Sequence, residues 1–172
     1  MATPAFILAR TVADLQLYAA TTKGSVEVAK DPWNVVELLR TRPPSWLAIL
    51  LYEADGVVKQ ANSATPVLQC TLGVYMAANL GLNIAPGTPL YTDEADRDAL
   101  LTVMAGVRER ICSLDLDADL DNPGQSLAGI GDRWEYSGMR PESVDGIPLW
   151  SFRMEFRTLY SVDAFTLRTP AE

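Results

Sequence analysis

There is no histidine among the 172 residues, and that absence excludes more chemistry than any single residue present suggests. Ser-His and Cys-His nucleophile systems, histidine general bases and histidine-containing zinc sites all need an imidazole. Cysteine is nearly as scarce. Cys70 and Cys112 lie far apart, each inside an apolar run. Two cysteines cannot make a four-cysteine metal site, and both are expected to be reduced core residues, as suits a cytoplasmic setting, rather than a disulfide. Positive charge is also in deficit, with 14 Lys and Arg against 22 Asp and Glu and a net charge of -8. That balance argues against a basic footprint for nucleic acid or for an anionic membrane surface. The opening "MATPAFILARTVADLQLYAA" lacks a basic leader region and carries Arg10 and Asp14, so it reads as neither a signal peptide nor a membrane span. Low-complexity tracts and internal repeats are missing too.

What is present fits one domain over residues 1–172, long enough to bury a sizeable core without staples. Residues 4–20 combine high helix propensity with apolar Phe6, Ala9, Leu15 and Tyr18 and stop before Gly24, which predicts a helix. "SVEV" (25–28) alternates as a short strand does. "DPWNVVELLRTR" opens a second helix, with Asp31 as cap, Pro32 in the first turn and Val35, Val36 and Leu39 on one face. Trp33 and Trp46 are expected to be core or interface anchors.

"SWLAILLYEADG" (45–56) is a continuous apolar run closed by an Asp-Gly turn signal, so it predicts a strand buried on both faces. "TPVLQCTLGVYMAAN" (65–79) returns as its hairpin partner, across a broad, mobile polar connection over 54–66. In "EADRDALLTVMAGVRERICSL", Leu100, Leu101, Met104, Val107, Ile111 and Leu114 recur at helical steps, with Asp93 or Asp96 available as cap. "GDRWEYSGMR" (131–140) alternates. The segment from Pro148 onward does so more cleanly, with Trp150, Phe152, Met154 and Phe156 opposite Ser151, Arg153, Glu155 and Arg157. Trp150, Phe152 and Phe156 are therefore expected in the core. The order helix, strand, helix, strand, strand, helix, strand, strand predicts an α+β domain. Its sheet is mainly antiparallel, with helices packed mostly on one face.

Among candidate sites, "ICSLDLDADLDNPGQS" (111–126) places Asp115, Asp117, Asp119 and Asp121 at every second position. A calcium EF-hand loop needs glycine at its sixth position and glutamate at its twelfth. Starting at Asp115 gives Leu120 and Ser126, and starting at Asp117 gives Asn122 and Ala128, so both registers fail. If extended, the segment turns its aspartates to one side and Leu116, Ala118 and Leu120 to the other. A solvated acidic edge that discourages strand-to-strand aggregation is the first reading; weak metal binding and paired-carboxylate catalysis are the alternatives. "GIGDRWEYSG" matches neither the phosphate loop nor the dinucleotide fingerprint, and Gly129 and Gly131 are expected in turns.

In their order, "PPSWLAILLYEADG", "VLQCTLGVYMAA", "DEADRDALLTVMAGVRERI", "DRWEYSG" and "PLWSFRMEFRTLYSV" resemble the small tail-terminator (tail-completion) proteins of long-tailed bacteriophages, including Mu-like prophage tail families. The likeness spans roughly residues 4–162 and rests on the order of elements. It implies a virion structural protein of the tail-neck region, assembled in the host cytoplasm as a ring, usually of six subunits, on the last tail-tube ring. Such a ring stops tube polymerisation and presents a surface to the head-tail connector protein, and DNA passes through it without specific binding. No catalytic residue, cofactor or metal is implied. The resemblance makes Asp55, Lys59, Gln60 and Asn62 candidate contacts with other copies or with the tube. It makes Asp115, Asp117, Asp119 and Asp121 candidates for the lumen or its rim, where acidity repels phosphate. Competing readings are a head-completion or neck connector protein, a small acidic hydrolase with two converging carboxyl groups, and a ligand-binding domain with an enclosed apolar pocket.

Overall fold

The computed structural model describes residues 3–40, 46–58, 67–78, 94–118, 127, 130–142 and 150–161. Helix α1 (Thr3–Thr22) leads into strand β1 (Gly24–Ala29), helix α2 (Pro32–Leu39) and strands β2 (Trp46–Val58) and β3 (Val67–Ala78). Helix α3 (Glu94–Ser113) and strands β4 (Glu135–Pro141) and β5 (Trp150–Ser161) follow. The five strands form one sheet in the order β1-β2-β3-β5-β4. The domain is α+β, as its pattern of elements predicts.

Every neighbouring pair is antiparallel except β1 and β2, which run parallel through the α2 crossover. The short alternation of β1 predicts a strand, but alternation carries no information on its direction. The 45–79 hairpin and the pairing of β4 with β5 match expectation, while the join between β3 and β5 adds the contact that makes one sheet of two hairpins. The predicted Asp-Gly turn is corrected: β2 runs through Asp55 and Gly56 to Val58, pairing Asp55 with Cys70 and Gly56 with Gln69. A bulge between Tyr52 and Ala54 absorbs the extra residue, Glu53.

Alternation along the strands divides the sheet into two unlike faces. The front carries Ala48, Leu50, Cys70, Leu72, Val74, Met76, Phe152, Met154 and Phe156. Onto it α1 delivers Ile7, Leu15 and Ala19, and α3 delivers Met104, Val107 and Ile111. Phe152 and Phe156 are core, as expected; the side chain of Trp150 lies outside the described residues. The Asp14–Arg110 ion pair at 3.2 Å joins the two helices at their outer seam. Trp134 is buried in this core, and its indole N–H donates to the Thr11 hydroxyl at 2.9 Å, locking the start of β4 to the middle of α1.

The back face is covered only in part. α2 sets Val35 and Leu39 on Leu47, Ile49 and Leu51 of β2, with Ala29 and Ala77 beside them. Its start is as read from the sequence: Asp31 is the cap, its carboxylate accepting the Asn34 amide at 2.8 Å, with proline in the first turn. Two long helices in front and one short helix behind make the "mostly one face" arrangement. Trp46 is core and donates its indole N–H to the Thr22 carbonyl at 3.2 Å. Trp33 is no core residue at all: it is 82% exposed. Neither cysteine forms a disulfide, as expected; Cys70 is buried and Cys112 half-buried.

Candidate functional site

The candidate residues from the sequence do not converge on one point. Asp55 lies within β2 rather than on a loop tip, and Lys59, Gln60 and Asn62 lie outside the described residues. Asp115 is exposed just past the end of α3, and Asp117 is half-buried; Asp119 and Asp121 lie outside the described residues. Over 115–117 the expected alternation holds, because Leu116 is fully buried in the front core between the two aspartates. Its main chain is tied down on several sides. Arg10 of α1 donates through Nη1 to the carbonyls of Leu116 (3.1 Å) and Ala118 (2.7 Å), and the Leu116 amide donates to Asp132 O at 2.7 Å. Residues 114–118, held to α1 by Arg10 and to Asp132 by the Leu116 amide, lie outside the five-stranded sheet. Among the described residues no group of three or more acidic or cysteine side chains could hold a metal ion.

The ordered polar chemistry sits instead on the uncovered part of the back face, where alternation alone predicted a simple polar surface. Arg153 of β5 is only 7% exposed. Its guanidinium donates through Nε to Glu53 Oε1 at 2.8 Å and through Nη2 to Glu53 Oε2, a two-pronged clamp on the bulge residue of β2. Both Nη atoms also reach Glu155 Oε2 at 3.2 Å. Arg157 closes the row, donating to Glu155 Oε1 at 3.0 and 2.6 Å. The Tyr75 hydroxyl adds a bond to Glu53 Oε1 at 3.2 Å.

Arginines and carboxylates thus alternate across three strands, and the electrostatics follow the geometry. The Glu53 hydrogen bond holds the Arg153 proton even more firmly than a free guanidinium does, outweighing burial. For Glu155, burial pushes the carboxyl up, but hydrogen bonds from Arg157 and Arg153 outweigh it and hold the group below the usual carboxylate range. Burial, and then the charge of Glu53, push the Tyr75 phenol up. Gly73 makes room for the array, since a methyl group there would run into the Glu53 carboxylate. Two hints were legible: Glu53 interrupts the apolar run of β2, and Arg153, Glu155 and Arg157 share one side of β5. What could not be read was the register that brings the strands together.

Two open clefts flank this array. One, of about 300 Å³, is lined by Ser137, Gly138, Met139, Arg140, Arg153, Glu155 and Arg157. The other, of about 280 Å³, lies where Gly131 to Arg133 loop out of the ladder beside Gln69 and Thr158. The first cleft owes its shape to a bulge between Tyr136 and Gly138, where Gly138 adopts φ +157, a backbone angle that side-chain-bearing residues avoid. Neither has the form expected of a hydrolase centre. The carboxylates that do converge, Glu53 and Glu155, are neutralised by arginine, and the Glu155 proton is held less firmly than usual, whereas a general acid needs it held more firmly. The described residues form a sheet with an ion-paired charged face and two edge strands, β1 and β4.

No protein-family model matches the sequence, and no curated protein matches it. Among solved structures, the chain is similar to one from the virion of a native gene transfer agent (GTA) particle. That match has a TM-score of 0.53 and 12% sequence identity, and it covers 89% of this chain and 92% of the other. At that identity the likeness is one of fold, and it runs nearly end to end in both. No described helix is long and apolar enough to cross a membrane.

Proposed function

We propose that this chain is a virion structural protein that caps a phage-type tail: a homo-oligomeric ring, six subunits by the resemblance above, seated on the last ring of the tail tube. It stops tube growth and presents a surface to the head-tail connector. The observation that carries this reading is the fold likeness to a virion chain over 89% of one chain and 92% of the other. Near-complete coverage of both is what a shared whole-domain role predicts, and a borrowed subdomain does not produce it. The sequence adds a net charge of -8, which suits a channel that DNA slides through without sticking. In this reading Asp115 and Asp117, with Asp119 and Asp121, belong to the lumen or its rim, and Asp55, Lys59, Gln60 and Asn62 to contacts with the tube or the next copy.

The same likeness fits a connector protein on the head side, so the partner decides between the two. The test is a solution mass measurement of the purified protein, alone and with the tail-tube protein of the same particle. A hexamer-sized species, or one that forms only on tube ends and halts their growth, is the expected result. A monomer that ignores the tube and binds the portal side instead would transfer the chain to the connector class. For the aspartates, replacing all four with asparagine is expected to slow DNA passage or alter ring assembly; normal assembly and infectivity would remove them from the lumen.

A further inference from the structure

Resting on the ring reading, we infer that successive copies join head to tail through the two edges of the sheet, the β1–α2 edge of one copy docking on the β4 edge of the next. Both edges are open: among the described strands β1 pairs with β2 alone and β4 with β5 alone. Each therefore carries a row of main-chain donors and acceptors with no strand beside it. Large apolar side chains accompany both. On β1, Val28 is 42% exposed, and on the outer side of the adjoining α2, Trp33 is 82% exposed, while at the β4 edge Tyr136 is 37% and Met139 47% exposed. Leu17, Leu101 and Leu159 are exposed elsewhere and stand singly, as surface leucines commonly do.

The occupant of each edge follows from what surrounds these anchors. Trp33 points away from the Val35 and Leu39 face of α2, about 200° round the helix from Val35, and an exposed tryptophan on a rigid helix is a typical interface anchor. Just over one turn on, about 40° round the helix, stands exposed Glu37, with Asp31 at the cap. Across the molecule, Arg108 lies over the Tyr136 ring at 5.4 Å, and exposed Arg140, which pairs with Glu142 at 3.3 Å, follows Met139, with exposed Glu135 at the start of the same strand. An aromatic anchor flanked by carboxylates at one edge thus meets a thioether and a phenol flanked by guanidiniums at the other. Lys30 and Arg40 also flank α2, so the match is local to the Trp33–Glu37 side and does not extend over the whole edge. Two unlike, complementary patches at opposite ends of one sheet cannot close a two-fold dimer on themselves. They generate a heterologous contact, the kind a ring requires.

The experiment uses two full-length variants, Trp33→Glu for one edge and Met139→Glu with Arg140→Glu for the other. Circular dichroism and melting temperature serve as folding controls, since all three side chains are exposed. Mass is measured by sedimentation velocity, with tail-tube protein added if the wild-type ring needs it. Each variant alone is expected to self-associate at least about tenfold more weakly than wild type. Mixed one to one, they are expected to stop at a dimer, because each retains the edge that the other lacks. If wild type forms rings and either variant does too, or if the mixture stays monomeric, the edge assignment is overturned and the ring reading survives. If wild type neither oligomerises nor halts tube growth, the ring reading itself fails and takes this interface with it.

Discussion

The clamp between Glu53 and Arg153 makes the sharpest stability prediction in the molecule. Replacing Glu53 with leucine leaves a guanidinium whose side chain is 9% exposed with Glu155, at 3.2 Å, as its one ionic partner among the described residues. It also strips the Tyr75 hydroxyl of its acceptor. Breaking a fully buried pair costs about 3–5 kcal/mol, and breaking a surface pair about 0–1 kcal/mol. Glu53 is 19% exposed and Glu155 remains, so the expected cost lies between these limits, about 2–3 kcal/mol. For a chain of this length that is a fall in melting temperature of about 4–12 °C.

Arg153→Met is expected to cost less, about 1–2 kcal/mol, because it keeps the stem packing and leaves Glu53 near enough to solvent to take up water. The double variant should recover most of the loss, since replacing both partners of a buried pair with apolar groups is often close to neutral. Urea unfolding of wild type, both singles and the double completes a cycle whose coupling is expected at about 2 kcal/mol. The coupling should change little between low and moderate salt, because counterions have poor access to the pair. Costs that simply add would refute the reasoning, showing that water already satisfies both groups and that the array is ornament on the surface.

Two further predictions rest on single groups. Glu155 has a folded pKa below its ordinary value of 4.5, so its contribution is present above the unfolded pKa and is lost as pH falls through the lower folded one. Glu155→Gln should therefore flatten the loss of stability below about pH 4.5, as read by thermal melts in an acid series; an unchanged acid limb would assign that loss to other carboxylates. Asp31→Ala removes the cap of α2 and is expected to cost about 1 kcal/mol, while Asp31→Asn should cost little. Equal costs for the two in urea unfolding would show that charge, rather than the hydrogen bond, holds that end.

Periodicity carried the front of the molecule and failed at the back, for a physical reason. On the front face, apolar side chains recur at the period of each element, and Phe152, Met154, Phe156, Met104, Val107 and Ile111 all arrive in the core that the pattern implies. The turn signal at Asp55-Gly56 misled because a bulge at Glu53 lets the strand continue through it. Local composition cannot report a ladder partner that lies 13 residues on, such as Gln69 for Gly56. The burial of Arg153 was hidden similarly. Its alternation matches that of any solvated strand face, and only the register of β2, β3 and β5 brings Glu53 and Tyr75 around it. Trp33 was legible in principle, since α2 already had Val35 and Leu39 for its buried stripe.

The uneven cover of the back face bears on what the protein can be. α2 seals the half next to β1 with apolar contacts, whereas the other half is closed by arginine–carboxylate pairs lying flat on the sheet. A face finished by its own ion pairs has little apolar surface left to offer a partner. Binding through that half would require partner groups to displace pairs that are already well made, at a desolvation cost. Among the described residues, the strands with a partner on one side only are β1 and β4, with exposed Trp33 on the neighbouring α2 and exposed Met139 on β4 itself. The charged array stiffens the plane that connects the two edges. In the proposed ring, a rigid span with a different patch at each end would set the angle between successive copies, and that angle decides whether a head-to-tail chain closes into a ring or runs on as a filament.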